Sequence, residues 1–263
     1  FSWLVLFIHL VTQIIVRFRK LVAMSKKYKG KICVYCADNI SIIGDHVFAR
    51  EFFLEHEREN LPQVPACDEC NNKKSTLEHY LTAVLPFGGR HSHAKENLTK
   101  MVPKRLHKNR KLHKALKNGM AYIEVGDSKN MVIPIEGNSV IELFGYTAKG
   151  LAWYHWKTII AKTSFVFSTT LSNIGERRFN KHFFTLNAKN RITNTVGTNS
   201  FSYTGVQYVD DDQITIWLFK IYAGLSMLGG DNEKELINSI GVLTGPSHLE
   251  ENIVSIFTDH NTT

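Results

Sequence analysis

All four cysteines of the chain fall into two pairs of one spacing, Cys33-Val-Tyr-Cys36 and Cys67-Asp-Glu-Cys70. Two thiolates at this spacing can wrap one ion from a tight turn, and two such turns complete a tetrahedral four-thiolate set of the kind that binds zinc. Four thiolates leave no open position for water, so this Zn²⁺ is expected to be structural. It would join the ends of a segment too short to hold itself together, and its binding free energy becomes folding free energy. Four buried free thiols are the other reading of these residues. A redox dithiol would not need the second pair.

Thirty residues separate the pairs, more than a plain zinc ribbon requires. They include Gly44-Asp45-His46-Val47 and Glu59-Asn60-Leu61, and Asn71-Asn72-Lys73-Lys74-Ser75 follows Cys70 directly. A strand carrying Asp45 and His46 points them to opposite faces, so one can serve a metal while the other addresses a substrate. A helix starting near Cys67 places Asn71 in its first turns, where free N–H groups and the positive dipole end favour phosphate.

The ordered string CVYC…GDHV…ENLPQVPACDECNNKKS resembles the HNH endonucleases, the zinc-knuckled members of the ββα-metal nucleases, over about residues 30–85. The resemblance implies that His46 is the general base that activates water and that Asp45 is a ligand of a catalytic divalent ion. It assigns Asn60 to orient His46 through a backbone-type contact and Asn71 to be the second metal ligand. The last signature position is often His, so this chain is an H-N-N variant. An amide oxygen suits a hard ion, which makes Mg²⁺ or Mn²⁺ the expected catalytic metal.

The chemistry agrees from the bottom up. Phosphodiester hydrolysis needs a base for water, positive charge on the phosphate and stabilisation of the leaving oxygen. A neutral histidine near its ordinary pKa of about 6.5 suits the first task. One ion held by Asp45 and Asn71 would supply the other two. Lys73 and Lys74 are candidate phosphate contacts, with solvated surface lysines as the alternative.

From Lys95 to Lys117 the chain carries nine Lys or Arg against one acid, Glu96. This segment alone therefore matches the +8 net charge of the whole protein. Pro103 can begin a helix and Gly119 can close it. Val102, Leu106, Asn109, Leu112 and Leu116 trace a narrow apolar stripe on it. A one-signed run is costly unless a polyanion neutralises it. Lys104, Arg105, Lys108, Arg110, Lys111 and Lys114 are accordingly expected to contact the phosphates of DNA, or of RNA, giving affinity without sequence choice.

These parts require an α+β protein. We expect an extension at 1–23, a zinc-stabilised ββα-metal (HNH) core at 24–85, a basic helical segment at 86–119 and an antiparallel-sheet α+β domain of unknown role at 120–263. In the last region Tyr122–Val125 and Met131–Ile135 read as a hairpin with Asp127–Asn130 as its turn. A helix capped by Asn138 or Ser139 runs to about Ala161, and Phe201–Val209 and Ile214–Tyr222 read as strands joined by Asp210-Asp211-Asp212. The three aspartates are expected to point apart as a turn, and Trp153, His155 and Trp156 to serve the core.

At 263 residues, 43% hydrophobic and 21% charged, the composition is globular and excludes disorder, collagen and a disulfide scaffold. Residues 1–16 are apolar but shorter than the roughly 20 residues of a membrane span, and their charges follow rather than precede them. We read 1–23 as an extension or fragment end, with Met24 as a soluble start and a membrane anchor as the alternative. No small-molecule cofactor or membrane partner is expected, and zinc thiolates favour the cytoplasm. The functional expectation is a metal-dependent DNA endonuclease. Its rivals are an inactive zinc-stabilised nucleic-acid-binding module and a membrane-associated structural protein.

Overall fold

The computed structural model describes residues 27–125, 128–185, 188–228 and 234–258. The 1–23 extension and the Met24 start lie outside them. The chain is α+β with antiparallel sheets. It opens with a small hairpin of β1 (Ile43–His46) and β2 (Gln63–Ala66), in which His46 lies opposite Gln63 and Asp45 opposite Val64. Helix α1 (Asp68–Gly88) follows at once, with Cys67 as its N-cap.

Three short helices come next, α2 (Ser92–Lys100), α3 (Val102–Lys108) and α4 (Arg110–Gly119). The single helix expected from Pro103 to Gly119 is thus two. Asn109 breaks it with φ −107° and ψ 75°, and its side chain accepts a hydrogen bond from the Leu112 N–H at 3.0 Å. An asparagine that caps the next turn competes with continuation of the helix.

A hairpin of β3 (Ala121–Val125) and β4 (Ser128–Val132) pairs Tyr122 with Met131 and continues to Val125 opposite Ser128. Residues expected to turn, Ser128–Asn130, are ladder residues instead. Helix α5 (Gly137–Trp156) ends five residues earlier than expected, where Lys157 takes a left-handed conformation.

The main sheet has five strands: β5 (Ser164–Leu171), β6 (Ala188–Val196), β7 (Phe201–Tyr208), β8 (Thr215–Ile221) and β11 (Ser239–Pro246), in the order β5-β11-β8-β7-β6. A third hairpin joins β9 (Leu225–Leu228) to β10 (Lys234–Ile237). The strands expected around Asp210–Asp212 pair as read, Phe201 opposite Ile221. The three aspartates also diverge: Asp211 accepts from the Gln213 and Ile214 N–H groups, while Asp212 pairs with Lys189.

Alternation along the sheet builds two cores. Ile240 and Val242 of β11 and Trp217 and Phe219 of β8 face α5 and the N-terminal hairpin. Leu243 and Ile216 face the opposite side, under α6 (Asn173–Phe183) and its Phe179 and Phe183. Ile253, on α7 (Glu250–Thr258), packs against that second core. Helix α5 lies between sheet and hairpin and is apolar on both flanks. A Cβ on its Gly150 would meet Val47 at 3.0 Å, and one on Gly145 would meet Val166 at 3.3 Å. Phe48 contacts Phe201 with ring centroids 4.7 Å apart, and Phe144 stacks on Phe201. One continuous core therefore spans the regions 24–85 and 120–263. Trp156 stacks on Trp217 and His155 lies 3.0 Å from the Tyr203 hydroxyl, so both serve that core.

Candidate metal centre and acid–base site

Cys33, Cys36, Cys67 and Cys70 lie together, with their sulfur atoms all within 4.8 Å of one another. This group can hold a metal ion. A zinc ion with sulfur ligands at about 2.3 Å would space them about 3.8 Å apart in a tetrahedron. The Cys36 and Cys67 sulfurs are 3.9 Å apart, so the donors and their spacing suit zinc. Local structure explains the approach. Ala37 adopts φ 57° and donates its N–H to the Cys33 carbonyl, closing the first turn, and the Asn39 N–H reaches Cys36 Sγ at 3.4 Å. The second pair rides on the first turn of α1, where the Asn71 N–H bonds the Cys67 carbonyl. Burial pushes the Cys33 and Cys70 thiols up, so loading an ion must displace protons.

Tyr35, inside the first turn, carries this centre to the next feature. Its hydroxyl donates to Asp45 Oδ2 at 2.7 Å. Burial, and then the charge of Asp45, hold the Tyr35 phenol well above its ordinary value, so it stays a donor. The Lys149 ammonium of α5 holds the Tyr35 carbonyl at 2.9 Å.

Helix α1 brings Lys74 to the same carboxylate. The Lys74 side chain is 1% exposed, and its ammonium lies 2.9 Å from Asp45 Oδ2. It also donates to the His46 carbonyl at 2.6 Å and to Glu78. Three acceptors use the three protons of the ammonium. Burial pushes the Glu78 carboxyl up to about 7, against the opposing pull of Lys74. The Asp45 side chain is 13% exposed, and its second oxygen has no hydrogen bond among the described residues.

The His46 ring turns to the opposite strand, where the Gln63 amide lies 2.8 Å from Nε2. With the Gln63 amide nitrogen as donor, Nε2 accepts and the neutral ring carries its proton on Nδ1. Burial pushes the imidazole below its ordinary value. The Arg50 guanidinium adds to this, and the Asp45 charge opposes it.

The other expected site residues have definite places. Asn71 is half-buried on α1, one turn before Lys74 and on the same side of the helix. Asn60 stands in the turn before β2 with φ 60°, a conformation asparagine tolerates better than most residues, while Gln63 makes the side-chain contact to the ring. Lys73 is exposed and paired with Glu69 at 2.7 Å. Lys74 was expected at a phosphate; it is instead enclosed between β1 and α1. Lys104, Lys108, Arg110, Lys111 and Lys114 are exposed on α3 and α4. Arg105 is half-buried, with Nη1 donating to the Thr82 carbonyl at 2.7 Å and Nη2 to the Glu51 carbonyl at 2.6 Å. Its guanidinium anchors α3 to α1 and to the turn that follows His46.

Sequence reasoning missed Tyr35, Gln63 and Glu78 and misplaced Lys74. Glu78 had a signal, since it sits four residues after Lys74 on a helix. Gln63 had none without the strand register. No helix among the described residues is long and apolar enough to cross a membrane. No protein-family model, no curated protein and no solved structure matches the chain.

Proposed function

We propose that the four-cysteine group, β1, β2 and α1 form the core of an HNH-type, metal-dependent endonuclease that hydrolyses phosphodiester bonds in DNA. The observation that carries this reading is the placement of the Asp45 carboxylate and the His46 imidazole at adjacent positions of β1, beside a helix anchored by the cysteine group. In this reading zinc occupies the four thiolates and is structural. With the Gln63 amide turned so that its oxygen accepts from Nε2–H, a His46 ring kept neutral by burial takes the proton of the attacking water at Nδ1. The buried Lys74 ammonium keeps positive charge at the site.

The donors present fit a hard divalent cation, because the open Asp45 oxygen and the Asn71 amide offer oxygen only. Asp45 and Asn71 would hold Mg²⁺ or Mn²⁺, which when bound supplies Lewis-acid stabilisation of the phosphate and leaving group. The exposed cations of α3 and α4 bind the DNA backbone, with RNA as the other polyanion the same charges accept. Thiols that must stay reduced to bind an ion favour a cytoplasmic location in this reading.

A second reading is a zinc-stabilised nucleic-acid-binding module without turnover. It is favoured by the same Lys74, which already neutralises Asp45. Mg²⁺-dependent cleavage of supercoiled and linear DNA, beside a His46→Ala control of equal zinc content, separates the two. Cleavage by the parent and none by the variant supports the nuclease. No cleavage by a folded, DNA-binding parent across several divalent ions removes it.

A further inference from the structure

We infer that Lys74 is a resident counter-ion of Asp45 that keeps divalent-ion affinity low until a nucleic acid phosphate arrives, which makes metal binding dependent on substrate. This rests on the nuclease reading above.

Three observations carry the inference. The ammonium of Lys74 lies 2.9 Å from Asp45 Oδ2, and its side chain is 1% exposed. It has no freedom to swing away, since the His46 carbonyl and Glu78 hold it as well. The same Asp45 oxygen accepts from the Tyr35 hydroxyl, so one carboxylate oxygen alone remains for an ion.

A divalent ion on the remaining oxygen would meet a fixed positive charge a few ångströms away, in surroundings that screen it less than water does. Asp45 and Lys74 together present almost no net charge to it. The anionic phosphate supplies the missing negative charge, and Asn71, a neutral amide, cannot. Ion and polyanion should therefore bind together. Lys74 is a positioning residue in this scheme, because it acts through Asp45.

The test is Mn²⁺ binding to the full chain, zinc-loaded, followed by the electron paramagnetic resonance of free Mn²⁺, with and without a short duplex DNA carrying non-hydrolysable linkages. In the parent, the duplex should tighten Mn²⁺ binding by roughly tenfold or more. Without DNA, Lys74→Gln should tighten it by about the same factor. The gain should persist in Lys74→Gln/Glu78→Gln and vanish in Lys74→Gln/Asp45→Asn, which assigns it to Asp45 rather than to a freed Glu78.

Equal Mn²⁺ affinity in the parent with and without the duplex overturns the inference, and that measurement needs no variant to fold. So does a Lys74→Gln protein, folded and zinc-loaded, that binds Mn²⁺ no tighter than the parent. Cleavage is scored separately. A parent that cuts DNA while showing neither effect keeps the nuclease and loses this inference. A parent that shows both effects and cuts nothing keeps the charge arrangement and loses the nuclease.

Discussion

His46 and Glu78 are pushed in opposite senses by the same burial. A buried imidazole loses its charged form and a buried carboxyl keeps its proton, so each is neutral over a wider range than in water. For His46 as base, the acid limb of the rate–pH profile is expected below the ordinary histidine value of about 6.5. A limb well above that value would remove His46 as the base. For Glu78 the folded-state value of about 7 stands above the ordinary 4.5, so the folded protein keeps a proton that the unfolded chain releases. The contribution of Glu78 to stability must then fall as pH rises through that interval, by up to about 3 kcal/mol, and level off above it. Glu78→Gln should abolish the decline, as urea unfolding at about pH 5 and about pH 8 would reveal. At this scale the sequence was readable where spacing itself is the chemistry, as in the two cysteine pairs. Tyr35 and Lys74 were not, because their partners are fixed by the reach of a turn and of a helix rather than by distance along the chain.

The elements around the site depend on one another through few bonds. Cys67 caps α1, Cys33 and Cys36 close the turn bearing Tyr35, and Tyr35 holds Asp45. Chelation of the proposed zinc, or Cys67→Ser, should therefore unfold the β1–β2–α1 unit, with loss of circular dichroism and faster proteolysis within residues 30–85. Retention of full structure under either treatment would show that the cysteine group is dispensable for the fold. The basic helices divide into an anchor and an exposed cationic face. Arg105→Ala leaves two carbonyls unpaired and should cost about 1–3 kcal/mol of stability. Lys108→Ala and Lys111→Ala, both exposed, should leave stability within about 0.5 kcal/mol. Each should lower the slope of DNA affinity against salt by about one. The charge of this segment was plain in the sequence; the break at Asn109 was not, since a local cap overrode an otherwise helical pattern.

At the scale of the molecule, composition marked a change of character near residue 120, but packing does not respect it. Val47, Phe48 and Phe53 share one core with Phe144 of α5 and with Phe201, Trp217 and Phe219 of the sheet. Apolar residues on both flanks of α5 are visible in its sequence, yet which surfaces they cover is a tertiary matter that periodicity does not encode. The strands around Asp210–Asp212 were legible because a polar turn and alternation coincide there. The pairing of β11 with both β5 and β8 was not, as partners separated by up to 82 residues leave no local trace. A chain cut at residue 120 should expose those aromatic faces, bind a hydrophobic dye and aggregate. A soluble, compact fragment would show that the N-terminal unit stands alone.

The place of β11 also sets a timetable. It fills the slot between β5 and β8, yet the ribosome makes it after every other strand of that sheet. A nascent chain stalled before Ser239 should thus hold an open sheet and stay protease-sensitive. The surface on which α5 and Phe48 settle closes only once β11 has emerged. Any activity that depends on this core, the proposed phosphodiester hydrolysis included, would accordingly have to wait for β11.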